Sequence, residues 1–196
     1  MEFNITNEVG VDDRIRFIKN VAGMWLLEES LDYWASKGEH YTAAELAKAA
    51  ADLPRTSVID ANDPIFEKPG AMPERIAMLC EKSNQQIPQS PAAYARCIFD
   101  SLADAYVKVL AQLQSAAGVK INAINIVGGG SANRLLNQLT ADATGLPVYA
   151  GPTEATVLGS VMVQMQSVGL INSLNQGRVI IKNSITQEEF KPKKIS

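Results

Sequence analysis

The chain has 196 residues, 46% hydrophobic and 20% charged, with a net charge of −3, a profile that supports a soluble globular core and excludes a disordered or fibrous chain. Lysine and arginine are scattered apart from Lys191, Lys193 and Lys194, so no basic stripe exists to displace counterions from nucleic acid. The first ten residues carry Glu2 and Glu8, no apolar run is long enough for a signal peptide or a membrane span, and a cytoplasmic protein is expected.

Two cysteines, Cys80 and Cys97, and one histidine, His40, are too few soft ligands for a structural zinc site, so no metal ligands are assigned and any metal would be held by oxygen. The cysteines flank the break at Pro88 and Pro91, where two antiparallel helices would bring them near each other. Buried, reduced thiols are the expectation for a cytosolic chain.

In chain order, Phe3 to Ile5 and Arg14 to Ile18 read as a β-hairpin across Gly10-Val11-Asp12-Asp13. Val21, Met24, Trp25, Leu27, Leu31 and Trp34 recur at helical spacing and predict a helix from Asn20 to Ser36, stopped by Lys37-Gly38. Thr42 is placed to cap a short helix, Ala43 to Ala51, and a strand is expected at Ser57 to Asp60. Ala61 to Met72, with three breakers in Pro64, Pro69 and Gly70, reads as an irregular excursion before a helix over Pro73 to Lys82. After Pro91, the stripe Tyr94, Ile98, Leu102, Ala105, Val109 and Leu113 predicts a long amphipathic helix ending at Gly118.

From there the pattern becomes strand, turn, helix. Ile121 to Val127 is an apolar strand, Gly128-Gly129-Gly130 a turn, and Ser131 to Thr144 a helix. A second unit follows at once: strand Pro147 to Ala150, turn Gly151-Pro152, and a helix from Glu154 to Val168, with right-handed crossovers expected. Thr153 is placed as its N-cap, and Gly159-Ser160 would let that helix approach a neighbour closely. A last strand is expected at Arg178 to Lys182.

The glycine turn is where chemistry is expected. Glycines without Cβ let a ligand lie on the backbone where a buried strand ends, and the helix beyond offers unpaired N–H groups and the positive end of its dipole. Asn133 and Asn137 lie four apart, on one helical face, with amides able to donate and accept toward an adenine or ribose edge. The plain alternative is a tight turn where a helix packs close to a sheet. A phosphate loop of the Gly-x-x-x-x-Gly-Lys type is excluded because no lysine follows. The dinucleotide pattern fails at its third glycine, which falls on Asn133, and the strand after the turn ends in Gly151-Pro152 rather than a ribose-holding acid. Asp100 and Asp104, four apart, read as a solvated helical face, and His40 has no nucleophile in any recognisable constellation.

Lys19-Asn20-Val21-Ala22-Gly23-Met24-Trp25-Leu26-Leu27, Ala95-Arg96-Cys97-Ile98-Phe99-Asp100-Ser101-Leu102, Val127-Gly128-Gly129-Gly130 and Ala150-Gly151-Pro152-Thr153-Glu154-Ala155 resemble, in order and spacing, the C-terminal region of L-rhamnulokinases. These belong to the carbohydrate kinase family that includes glycerol kinase and xylulokinase, and the similarity runs from about Thr6 to Leu174. The resemblance implies an α/β fold of the actin-like ATPase, ribonuclease H-like class, helix-rich, with a mixed sheet and flanking helices. It implies a nucleotide-binding domain over residues 1–174, a tail over 175–196, and an N-terminal sugar-binding domain absent from this sequence. ATP and Mg²⁺ are the implied cofactors, and transfer of the γ-phosphoryl of ATP to the O1 hydroxyl of L-rhamnulose the implied activity of the parent, with another ketose such as xylulose, or a non-catalytic nucleotide module, as alternatives.

By the same resemblance, the adenosine end of ATP or ADP rests on Gly129 and Gly130, beside Gly128, with Asn133 as a polar contact and Asn20 near the bound ligands. Glu28 stands where the family usually carries a nucleotide-binding Gln, and a carboxylate cannot donate to the nucleotide. The catalytic Asp and the phosphate-binding loop have no counterpart in this sequence, so no catalytic residue is assigned and the isolated chain is expected to be inactive. The spacing of Cys80 and Cys97 matches two family cysteines, which places their sulfurs near each other, bonded or not according to redox conditions. The opening hairpin supplies only some of the domain's first strands, so self-association through an exposed sheet edge is expected.

Overall fold

A computed structural model describes residues 4–193 and divides into two compact units, residues 1–121 and 122–196. In the first, β1 (Thr6–Val9) and β2 (Ile15–Ile18) form an antiparallel hairpin closed by a 3-10 turn at Val11–Asp13, with Val9 opposite Ile15 and Asn7 opposite Phe17. The hairpin is the expected one, but its first strand lies later than the expected Phe3 to Ile5, and Phe3 falls outside the described residues. Val9 and Ile15 are 71% and 63% exposed, so this ribbon contributes nothing to a core.

Four helices follow: α1 (Trp25–Ser36), α2 (Ala43–Ala50), α3 (Met72–Lys82) and α4 (Pro91–Ala117). Helix α1 starts five residues later than the periodicity predicts, at Trp25 rather than Asn20. The entry to α2 is as expected: the Thr42 hydroxyl accepts from the Glu45 N–H while the Glu45 carboxylate accepts from the Thr42 N–H at 2.8 Å, a capping box. Ser90 caps α4, Pro91 opens it where a missing N–H costs nothing, and Gly118, left-handed at φ 65°, ends it. Leu26, Leu27, Ile76, Ile98, Phe99 and Leu102 are fully buried and form the centre of this unit, with the Trp34 ring edge-on to Tyr41 and Tyr94.

No strand forms at Ser57 to Asp60. Side chains take the place of a neighbouring strand: Gln85 accepts from the Val58 N–H at 2.9 Å and donates back to its carbonyl at 2.7 Å, while Ser101 Oγ accepts from the Ile59 N–H at 3.0 Å. The β-branched pair is thereby held extended without a ladder.

The second unit is a three-stranded mixed sheet in the order β3 (Ile124–Ile126), β4 (Val148–Ala150), β5 (Glu188–Phe190), with α5 (Arg134–Thr144), α6 (Ala155–Ser167) and α7 (Leu174–Ser184). β3 and β4 are parallel, joined through α5, and β5 runs antiparallel to β4 with Phe190 opposite Val148. Ala141, Val148, Ala150 and Phe190 form the buried cluster, closed by Ile124 and Ile126.

Three expectations fail here. Arg178 to Lys182 lies inside α7 and is not a strand: Ser173 caps that helix, accepting from the Gln176 N–H, and the β-branched run Val179-Ile180-Ile181 is carried as helix. Thr153 does not cap α6, whose N-cap is Glu154 with no side-chain bond. Gly159 does not serve close packing, since a Cβ there would meet nothing within 4 Å; the tight approach between α6 and α7 is at Gly177, where a Cβ would sit 2.7 Å from Met162 Sδ. Helix α6 itself buries no residue, and Val157, Val161 and Val163 are at least 40% exposed. Among the described residues no helix is long and apolar enough to cross a membrane.

Candidate functional site

The site is built where β3 ends. Gly128 adopts φ 75°, ψ −164°, a conformation open to glycine and strained for any residue with a Cβ. It redirects the chain into a 3-10 turn, Gly129–Ala132, and only then into α5, so the helix starts at Arg134 rather than at the expected Ser131. Two backbone bonds fasten the turn to the end of β4: Gly128 N–H donates to the Pro152 carbonyl at 3.0 Å, and Gly151 N–H to the Ile126 carbonyl at 2.8 Å. The peptide between Gly151 and Pro152 is cis. Ser131 closes the turn on itself, its N–H and its hydroxyl both donating to the Gly128 carbonyl, the hydroxyl at 2.7 Å.

These bonds leave one surface of the turn open. A Cβ on Gly129 would meet nothing within 4 Å, and one on Gly130 only Ile126 Cγ2 at 3.8 Å. Among the described residues no backbone bond of this turn uses the N–H of Gly129 or Gly130. A planar group or a sugar can therefore approach the peptide plane directly, and the chemistry of the donor set, two backbone amides without a cation, suits a nucleoside better than a polyphosphate.

Beside the turn lies an open cavity of about 480 Å³, a volume within the range of small-ligand pockets. Ser131, Pro152, Val157, Leu158 and Ile185 line it together with the carboxylate of Glu154. No lysine or arginine is in its lining, which again disfavours phosphate.

The two asparagines sit differently from what a shared helical face predicts, Asn133 half-buried at the end of the turn and Asn137 inside. Asn133 is the N-cap of α5, its Oδ1 accepting from the Leu136 N–H at 3.0 Å. Asn137 is fully buried, and its Nδ2 donates to the Ser131 carbonyl at 2.9 Å. Asn133 Oδ1 and Asn137 Nδ2 thus both serve backbone groups at the start of α5. The signal was present in the sequence, since an Asn directly before a helix is a capping residue first, but the helix start was placed too early to reveal it.

Asn20 and Glu28 belong to the first unit. Asn20 is exposed between β2 and α1, and Glu28 is exposed in the first turn of α1, where a carboxylate suits the helix dipole. Near them, Ala22, Trp25, Asn62, Asp63, Phe66 and Glu67 line a second cavity of about 460 Å³. Trp25, read from the sequence as a core residue, is 42% exposed there, its ring fixed by a bond from Nε1 to the Phe66 carbonyl at 3.2 Å. Periodicity places Trp25 on the helix but does not reveal that the helix begins with it.

The carboxylates of α4 are a further correction. Asp100 is 3% exposed and ion-paired with Arg96, and Asp104 takes a forked pair of bonds from Arg55 at 3.1 and 2.6 Å, so this is no solvated face. Burial raises the Asp100 pKa, opposed by Arg96 and Arg55. Cys80 and Cys97 are both buried and unbonded, and near enough to interact: burial pushes the Cys97 thiol up to about 12, with the Cys80 sulfur adding to the shift. His40 is exposed, and no group of three metal-ligating side chains occurs among the described residues.

The family model for the C-terminal domain of the FGGY family of carbohydrate kinases matches residues 2–168. The chain is 40% identical over 184 residues to a rhamnulokinase of Oceanobacillus iheyensis, covering 94% of this chain and 38% of that protein. It is 42% identical over 190 residues to a rhamnulokinase of Enterococcus faecalis, covering 95% and 38%, and 36% identical over 190 residues to one of Halalkalibacterium halodurans, covering 97% and 40%. The chain thus spans about two fifths of the length of the relatives it matches. The chain belongs to the FGGY family of carbohydrate kinases, as its C-terminal domain, and its fold is of the actin-like ATPase, ribonuclease H-like class.

Proposed function

We propose that this chain is the nucleotide-binding part of an ATP-dependent kinase whose parent transfers the γ-phosphoryl group of ATP to the O1 hydroxyl of L-rhamnulose in L-rhamnose catabolism. The observation that carries the reading is the open glycine turn of a carbohydrate-kinase domain, with Gly129 free of neighbours and Gly130 facing only Ile126 where a nucleoside would lie. The relatives named rhamnulokinase favour rhamnulose over xylulose as the acceptor. Gly128 sets the path of the turn, Gly129 and Gly130 receive the adenosine end, and Asn133 holds the turn through its cap. Within the first unit, Asn20, which can donate as well as accept, and Glu28 are the residues we assign to ligand binding.

Phosphoryl transfer depends on positioning two substrates and neutralising charge. A bound divalent ion, Mg²⁺ in our reading, supplies that neutralisation, and the sugar, the catalytic base and the phosphate loop belong to the preceding domain. This chain's own part is to bind and orient the nucleoside, and alone it is inactive. Residues 1–174 carry the domain, and the tail 175–196 adds β5 and all of α7 but its first residue. The unpaired edge of the β1–β2 hairpin is the expected route of self-association, and the absence of a basic stripe or an apolar span fits a cytoplasmic protein that binds neither nucleic acid nor membrane.

The test is calorimetric titration of the chain with ADP beside Gly129→Val. Because a Cβ at that position meets nothing, the variant keeps its fold and reports on ligand approach alone. Saturable binding lost in the variant is the expected result. Equal binding by both removes adenosine from the turn, and no binding by the unsubstituted chain at millimolar ADP removes nucleotide binding from this chain.

A further inference from the structure

Asn137 carries an amide in a fully buried place on α5, among residues where a leucine or methionine would fill the same space without a polar atom. Its Nδ2 is used, donating to the Ser131 carbonyl at 2.9 Å, but its Oδ1 is buried with no partner. An amide kept with half its capacity unmet has to serve something other than packing. What the used half does is specific. It fixes the Ser131 peptide, and Ser131 in turn fixes Gly128 through the 2.7 Å bond from its hydroxyl to the Gly128 carbonyl. Asn133 adds a second hold, its N–H donating to the Gly130 carbonyl at 3.2 Å. The turn is therefore suspended from the first two turns of α5, and the central member of the suspension is a fully buried side chain.

We propose that Asn137 is a positioning residue for nucleotide binding, which acts through Ser131 and Gly128 to hold the peptide planes of Gly129 and Gly130 in the orientation that receives the nucleoside. This role rests on the nucleotide reading given above. It explains the direction of the amide: Nδ2 has to face the turn, and Oδ1 is left where the helix packing puts it.

Asn137→Asp keeps the shape and exchanges the donor for a carboxylate facing a carbonyl. Asn137→Leu removes the polar group altogether, and Ser131→Ala breaks the next link without touching the core. In the 196-residue chain, exchange of the hydrogen-bonded Gly128 and Asn133 amides by NMR reads the turn without any ligand, exchange at Gly118 and Gly145 serves as the internal control, and ADP titration reads binding. All three variants are expected to speed exchange at the bonded amides of Gly128 and Asn133 at least tenfold over the control glycines and to weaken ADP at least tenfold. Asn137→Asp should regain affinity relative to the unsubstituted chain as pH falls and the carboxyl gains a proton to donate, a recovery that Asn137→Leu does not show. If Asn137→Leu fails to fold, Asn137→Asp and Ser131→Ala carry the test. Unchanged exchange at Gly128 and Asn133 overturns the tether. Faster exchange with ADP affinity within twofold overturns its role in binding. Failure of the unsubstituted chain to bind ADP overturns the nucleotide reading itself, and is told apart because it appears before any substitution is made.

Discussion

Arg96 grips Asp100 one turn along α4, Nε to Oδ2 at 2.8 Å, and the same guanidinium also donates to the carbonyls of Ala50, the last residue of α2, and of Leu53 just past it. One cation thus satisfies a buried carboxylate and the open end of a neighbouring helix.

Removing that cation leaves a carboxylate at 3% exposure without its partner. Arg96→Met is expected to cost about 3 kcal/mol at neutral pH, read by urea denaturation. The cost should shrink in acid. The folded-state pKa of Asp100 is already raised by burial, and loss of Arg96 raises it further. A carboxyl shifted upward stabilises the fold below its unfolded value of about 3.9, and that contribution is lost as pH rises through the folded value. The gap between variant and parent should therefore open with rising pH from the acid side.

With the Cys97 thiol pushed up to about 12, roughly one thiol in ten thousand is ionised at pH 8, and the thiolate is the reactive form. The reduced native chain is expected to resist iodoacetamide at both cysteines and to take up two equivalents once unfolded, counted by mass spectrometry. Fast labelling of the native chain would contradict the buried placement.

Two glycines of the second unit should respond oppositely to alanine. At Gly177 the new methyl meets Met162 at 2.7 Å and Ile171 at 3.1 Å, and overpacking should outweigh the gain in helix propensity, for a net loss of about 1 kcal/mol. At Gly159, mid-helix with nothing nearby, the propensity gain stands alone and should add about 0.5 to 1 kcal/mol. Thermal unfolding of the two variants checks both signs.

Val157 and Val161 form an exposed apolar stripe one turn apart on α6. The chain is expected to bind the dye ANS, and Val157→Thr with Val161→Thr to reduce the fluorescence without lowering the melting temperature, since neither side chain is part of a core.

The parts of this fold legible in the sequence are those fixed by near neighbours. Thr42 with Glu45, and Ser90-Pro91 with Gly118, mark helix ends through bonds within a turn or two, and the long stripe through Ile98 and Leu102 can only be a buried helix face. What escaped depends on distant partners. Val58 and Ile59 look like a strand until Gln85 and Ser101 are brought to them, and Val179 to Ile181 look like one until Ser173 caps a helix that packs at Gly177. The glycine turn was legible as a turn. The bonds of Asn133 Oδ1 and Asn137 Nδ2 to the backbone were not, because they follow from the 3-10 turn that delays α5, which spacing alone does not reveal.

The pairing of Val148 with Phe190 has a kinetic consequence. Both helices between them, α6 and α7, can form from local contacts, whereas the β4–β5 ladder needs two segments about forty residues apart to meet, and loop closure of that length slows the search. Assembly of the mixed sheet should therefore be the late event in folding of the second unit, so that the glycine turn between β3 and α5 matures only after the helices around it have formed.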